Sequence, residues 1–176
     1  MTNTLQATGV IRGVFFSLGT TPSSDPKFDC AKALINLFNN AKKTIHIAIY
    51  SLTEPTIVDA IISAYKRGVE VAIVADNTES KSSYMAVMIQ KLIQAGVDVK
   101  VATKQHFLMH NKISIFDSKT VATGSYNYTS AAESRNDENL IIIDGKDVAT
   151  DYEIYVFQRI LKNETLIKPN IIKTNI

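Results

Sequence analysis

The tightest constraint on this chain is a strand–helix unit written three times in succession. Residues 10–18 (VIRGVFFSL) form a β run, residues 19–27 a Gly/Thr/Ser/Pro loop, and residues 29–41 a helix. That helix carries Leu34, Leu37, Phe38 and Ala41 at i, i+3, i+4 and i+7, the spacing of one buried stripe. Residues 44–51 (TIHIAIYS) repeat the strand, with His46 its only strongly polar interior residue. Thr53 as cap and Pro55 in the first turn start a second helix, with Ile57, Ile61, Ala64 and Tyr65 inward and Gly68 at its end. Residues 69–75 (VEVAIVA), a polar loop at 76–82 and a helix at 83–95 complete the third unit, and residues 97–102 add a strand. Strands apolar on both sides, alternating with helices, require a sheet covered on both faces. The expected fold is α/β: a mixed, largely parallel central sheet flanked by helices on both faces. With 176 residues, 45% of them hydrophobic, the chain can bury one sizeable core. A single domain over residues 1–176 follows, with a core at 10–163 and a peripheral tail at 164–176.

After residue 102 the pattern changes. Residues 110–127 read HNKISIFDSKTVATGSYN, two short strands joined by a turn at Asp117, Ser118, Lys119 and Thr120. Side chains two apart on a strand share a face, so His110 and Lys112 project together. An imidazole and an ammonium thus stand beside the hydroxyl of Ser125 and the amide of Asn127, a group suited to a phosphate. One more strand at 140–143 and a helix at 147–162 close the chain.

The net charge of +2 is too small to point to nucleic acid by itself. Cys30 is the only cysteine, which excludes an internal disulfide and a Cys-based zinc site. The first residues, MTNTLQATGVIRG, lack a basic segment followed by an apolar run. As it stands the chain reads as cytoplasmic, and as periplasmic or secreted if a signal has been removed. No apolar run approaches the ~20 residues of a membrane span, and no stable membrane association is expected.

The full pattern His110-x-Lys112, four residues, Asp117, six residues, Gly124-Ser125-x-Asn127 resembles the signature of the phospholipase D superfamily. The segments IHIAIYSLTEPTIVDAIISAYKRGVEVAIVAD and TGSYNYTSAAESRNDENLIII are similar to its small, single-motif bacterial endonucleases. The resemblance covers residues 12–160. It implies that His110 acts as nucleophile or general acid on a phosphodiester, through a phosphohistidine. Lys112 and Asn127 would hold the non-bridging oxygens, and Ser125 would assist. These groups take the place of a metal, so no metal and no other cofactor is implied. Glu138 stands where this group places a carboxylate that orients the catalytic histidine. Asp117 and Gly124 are expected to be structural, Asp117 by holding the two strands in register through backbone hydrogen bonds.

The chemistry wants two histidines and the chain carries one motif. A two-fold homodimer with both motifs at its axis supplies the second, and His106 is the rival within the chain. His46 reads as a core or edge residue. Lys104 and Arg135 flank the motif and are candidate nucleic-acid contacts. Tyr126, like Tyr128, reads either as a stacking surface for a base or as packing beneath the site. The implied activity is metal-independent cleavage of DNA, or RNA, as a non-specific endonuclease. The alternatives are a phospholipid hydrolase or transferase of the same superfamily, and an inactive phosphate- or nucleic-acid-binding module.

Overall fold

The computed structural model describes residues 7–19, 25–103, 108–163 and 166–167. Strands β1 (Val10–Leu18), β2 (Thr44–Ile49), β3 (Glu70–Asp76), β4 (Asp98–Ala102), β5 (Lys112–Phe116), β6 (Thr120–Gly124), β7 (Asp137–Asp144) and β8 (Leu166–Ile167) build one sheet in the order β1-β7-β6-β5-β2-β3-β4-β8. The expected α/β sheet is mixed. Its parallel part is confined to β2-β3-β4, while β5, β6, β7, β1 and β8 all pair antiparallel. The reason is connection length. Helices α2 (Pro55–Lys66) and α3 (Ser83–Gln94) return the chain to a parallel start after β2 and β3, whereas a tight turn joins β5 to β6. The edge strand β1 adds to β7, not to β2.

Alternation along the strands splits the core in two. Ile45, Ile47 and Ile49 of β2 face the layer made by α1 (Cys30–Asn40), α2, α3 and the short α4 (Ser130–Ser134). Ala48 of β2, with Val74, Ile113, Ile115 and Val121, faces α5 (Lys146–Tyr152) and the segment behind it. The side chains of Ile45, Ile47, Ile49, Ile57, Ile61 and Leu34 are fully buried. Each contributes roughly 1.5–3 kcal/mol by leaving water.

Two local expectations change. The cap of α2 is Glu54, whose carboxylate accepts from the Thr56 amide and hydroxyl, because the Thr53 amide is drawn instead to the Tyr128 carbonyl. The closing helix is not continuous. A π-helical stretch, Glu153–Gln158, separates α5 from α6 (Arg159–Asn163). Within it Glu153 accepts from His46 across the sheet face (Nδ1···Oε2 2.8 Å) and Phe157 stacks on the same imidazole (4.7 Å). His46 is therefore a half-buried histidine of the α5 face.

The β5–β6 turn runs Phe116–Lys119, one residue earlier than expected. Asp117 and Ser118 both take φ of +53°, and the Lys119 amide donates to the Phe116 carbonyl. Two positive φ values make the turn follow the right-handed twist of the strands.

Candidate active site

The motif residues gather at one end of the sheet. This end holds the carboxyl ends of β2, β3 and β6 and the amino ends of β5 and β7. Here β2 stands between β3, reached by a forward crossover, and β5, which returns from beyond β4. Such a switch point opens a crevice at the strand ends of an open α/β sheet.

Lys112 opens β5 opposite Ile49 of β2 and is only 7% exposed. Its Nζ donates to the His110 carbonyl at 2.8 Å and lies 4.9 Å from the centre of the Tyr50 ring. Burial lowers the Lys112 pKa, and the charge of Glu138 opposes that shift without overcoming it. Among the described residues no carboxylate forms a salt bridge with Lys112. A buried ammonium with spare donors and no anionic partner attracts an anion. His110 precedes it on the outside, exposed, with its imidazole 4.5 Å from the Tyr50 ring at a 55° tilt.

Asn127 follows β6. Its Oδ1 is buried, and among the described residues it has no hydrogen-bond partner. A buried, unsatisfied amide costs free energy unless something completes it, and rotating the amide by 180° offers its donors at the same spot. The residues on either side hold it in place. The Tyr126 hydroxyl donates to Glu133 Oε2 at 2.7 Å, and the Tyr128 hydroxyl shares a 2.7 Å hydrogen bond with Ser114. The Tyr128 amide donates to the Ser51 carbonyl, while its own carbonyl accepts from the Thr53 and Glu54 amides. Burial pushes both phenols well above their ordinary pKa. Tyr126 and Tyr128 are 0% exposed. Packing is thus their role: Tyr126 cannot stack on a base, because it lies in the core against α4.

Gly124 is required by a close approach. A Cβ there would fall 2.2 Å from the Asn139 carbonyl oxygen, at a φ of +152°. That carbonyl accepts from the Ser125 and Tyr126 amides, and Ser125 Oγ accepts from the Asn139 amide at 3.1 Å and from its Nδ2 at 3.3 Å. Ser125 is exposed and ties the loop to the start of β7.

Glu138 has another partner within the chain. Its Oε1 accepts from Asn136 Nδ2 at 3.0 Å, and among the described residues no hydrogen bond joins it to His110. The Asn136 amide, two residues back at the strand entry, claims the carboxylate, and Glu138 acts on the site through its charge on Lys112. Asp117 lies just past the far end of β5, about 16 Å from Lys112 at about 3.3 Å per residue. Its carboxylate accepts from the backbone amides of Lys43 (2.7 Å), Lys42 (3.1 Å) and Thr44 (3.1 Å). It therefore fastens the β5–β6 turn to the entry of β2, where the sequence reading has it holding β5 to β6. Arg135 is exposed at the end of α4. Lys104 and His106 lie outside the described residues.

Three further residues meet at the site. Tyr50 follows β2 and faces both His110 and Lys112. Asp76, the 3% exposed last residue of β3, accepts from the Met109 amide at 2.9 Å and from the Thr78 and Glu79 amides at 2.8 and 3.0 Å. Burial, and after it the charges of Glu79 and Asp76, raise the pKa of the Tyr50 phenol. Asp76 carried one legible signal, an acidic residue directly after a buried strand. Tyr50 and Glu79 carried none.

Comparison with known proteins places this arrangement. The family profile described as "Cardiolipin synthase, PLD-like domain" matches residues 34–161. A "Phospholipase D" of Rickettsia conorii is 36% identical over 127 residues, 72% of this chain and 62% of the relative. A "Mitochondrial cardiolipin hydrolase" of Xenopus tropicalis is 30% identical over 135 residues, 75% of this chain and 60% of the relative. The chain thus spans about three fifths of the length of these curated relatives. Among solved structures, Nuc from Salmonella typhimurium, described as a phospholipase D family member, superposes with a TM-score of 0.77 at 26% identity, covering 92% of this chain and 99% of Nuc.

Proposed function

The chain belongs to the family of phospholipase D-like domains, and on that premise we propose that it is a phosphodiesterase that cleaves DNA without a metal ion. One observation carries the reading. At one end of the sheet an exposed imidazole and a buried lysine both lie against the Tyr50 ring, and among the described residues neither the lysine has a carboxylate partner nor the buried amide oxygen of Asn127 a hydrogen bond. Such a set suits nucleophilic attack on an anionic phosphodiester.

In the first step a ring nitrogen of His110 bonds to phosphorus as the bond to the leaving oxygen breaks, and an acid protonates that oxygen. Lys112 and Asn127 hold the non-bridging oxygens as their charge grows. In the second step the same acid, now a base, takes a proton from water, whose oxygen displaces the histidine. The acid is a second histidine. His46 is excluded because it lies on the α5 face against Glu153. We assign the role to His110 of a second copy, with the two sites sharing one pocket across a two-fold axis. The resemblance of residues 12–160 to the small single-motif bacterial endonucleases supports nucleic acid as the substrate. A second reading, phospholipid hydrolysis, is favoured by the names of the 36% and 30% identical relatives.

Incubation with plasmid DNA and with cardiolipin or phosphatidylcholine vesicles, each in excess EDTA, tests both. Nicking that persists with chelator and is lost in His110→Ala supports the DNA reading. Lipid turnover without nicking transfers the assignment to lipid, and dependence on added metal overturns the mechanism. A strictly monomeric active species in sedimentation would sink the shared pocket.

A further inference from the structure

The signature motif accounts for His110, Lys112 and Asn127 but not for what holds the first two in register with each other. His110 is exposed and lies outside β5, so strand pairing does not fix its ring. Among the described residues no side-chain hydrogen bond restrains that imidazole, and its one ring contact is Tyr50 at 4.5 Å. The same phenol ring lies 4.9 Å from Lys112 Nζ. A tyrosine face attracts a cation and offers it no competing acceptor, so it steadies a desolvated ammonium while leaving its N–H donors free for a phosphate.

Tyr50 is itself held. Its amide donates to the Asn111 carbonyl at 2.8 Å, between the two motif residues. Glu79, in the turn after β3, adds its charge to burial in raising the pKa of the Tyr50 phenol. The buried Asp76 clamps that turn through the Thr78 and Glu79 amides and, with its other oxygen, the Met109 amide directly before His110. One buried carboxylate thus joins the peptide before the histidine to the turn that carries Glu79.

We propose that Tyr50 is the positioning residue of this site, its ring setting the imidazole of His110 against the ammonium of Lys112, and that Glu79 and Asp76 hold it there. The proposal rests on the phosphodiesterase reading of the same pocket for its kinetic consequence, but its geometric content stands apart from it.

The test compares Tyr50→Phe, Tyr50→Leu and Glu79→Gln in the intact chain. Two readouts are used: hydrolysis of bis(p-nitrophenyl) phosphate in EDTA, and the Cε1–H resonance of His110. The chain has three histidines, and the resonance is assigned with His110→Gln. A ring packed against the imidazole displaces that resonance. Tyr50→Phe keeps the ring but loses the hydroxyl beside Glu79, so it should keep most of the displacement and lower kcat by no more than about tenfold. Tyr50→Leu should return the resonance towards that of a free histidine and lower kcat by about a hundredfold with KM little changed, the scale of a 1 Å misplacement. Glu79→Gln should shift the resonance part of the way and lower kcat by about tenfold. An unmoved resonance in both Tyr50→Leu and Glu79→Gln overturns the proposal. So does a Tyr50→Leu enzyme that loses only KM, and so do Phe and Leu variants impaired alike. If Tyr50→Leu does not fold, Glu79→Gln decides by the same two readouts. If the wild-type chain hydrolyses no phosphodiester, the functional reading fails, and the resonance alone decides the positioning role.

Discussion

Replacing Asp117 separates the two roles a motif aspartate can have. Its carboxylate gathers three backbone amides at the entry of β2, with the strongest contact 2.7 Å to Lys43. Water can reach Lys42 and Lys43 once the side chain is gone, so each lost hydrogen bond is worth about 0.5–1 kcal/mol, the lower part of the usual range. Alanine at a φ of +53° adds about 1 kcal/mol, because its Cβ disfavours the left-handed region. Asp117→Ala should therefore lose about 3 kcal/mol, and Asp117→Asn, which tolerates that φ and keeps one acceptor, about 1 kcal/mol. For a chain of this length the alanine variant should melt about 6–12 °C lower. The sign with pH follows from the carboxyl itself. Burial alone would raise its pKa, but the Lys43, Thr44 and Lys42 amides outweigh burial and hold it below the ordinary 3.8. The native charge therefore stabilises above that ordinary value, and the stabilisation is lost as pH falls through the depressed native one. The gap between wild type and Asp117→Asn should hold at neutral pH and close in acid. Circular dichroism melts across pH, paired with phosphodiester hydrolysis well below the transition, make the assay. Turnover of the folded variants should stay within about threefold of wild type. Loss of turnover with an unchanged melting temperature would refute the structural assignment.

Other outcomes follow from the same geometry. Gly124→Ala should destabilise the fold by about 3 kcal/mol or more in chemical denaturation, since a Cβ 2.2 Å from the Asn139 carbonyl must displace backbone. Lys112→Met should keep or slightly raise stability by removing a desolvated charge, yet lower kcat by about a hundredfold or more, read by melts and steady-state kinetics. Because burial lowers the Lys112 pKa, the alkaline limb of the rate profile should begin below the 10.5 of free lysine and disappear in Lys112→Arg. Burial raises the Glu133 carboxyl above 4.5, although the Tyr126 hydroxyl and the Ala31 amide oppose it. Stability carried by its protonated form should therefore be full below 4.5 and fade as pH rises through the raised native value, and Glu133→Gln should flatten the change in pH-dependent melts.

The sequence was most informative where local periodicity sufficed. The strands at residues 44–49 and 70–76 and the helices between and after them follow from apolar runs and i, i+3, i+4 stripes, and the positions of Gly68 and Pro55 mark their ends. The gathering of His110, Lys112 and Asn127 was legible because their spacing along two adjoining strands brings them to one end of the sheet. The rest depends on contacts between distant segments. Tyr50 and Glu79 reach the site only through the order of β2, β3 and β5 in the sheet. Glu138 has a nearer amide in Asn136, and Tyr126 meets Glu133 inside the core. The π-helical stretch at Glu153 coincides with a histidine more than a hundred residues away. No local pattern encodes such pairings.

The central claim is that His110 attacks phosphorus. Its most direct test is a rapid alkaline quench during turnover of a slow phosphodiester in EDTA, followed by peptide mapping. A phosphoryl adduct on the imidazole of His110, absent in His110→Asn, is the result expected. Turnover with no adduct, or cleavage retained in His110→Asn, would contradict it.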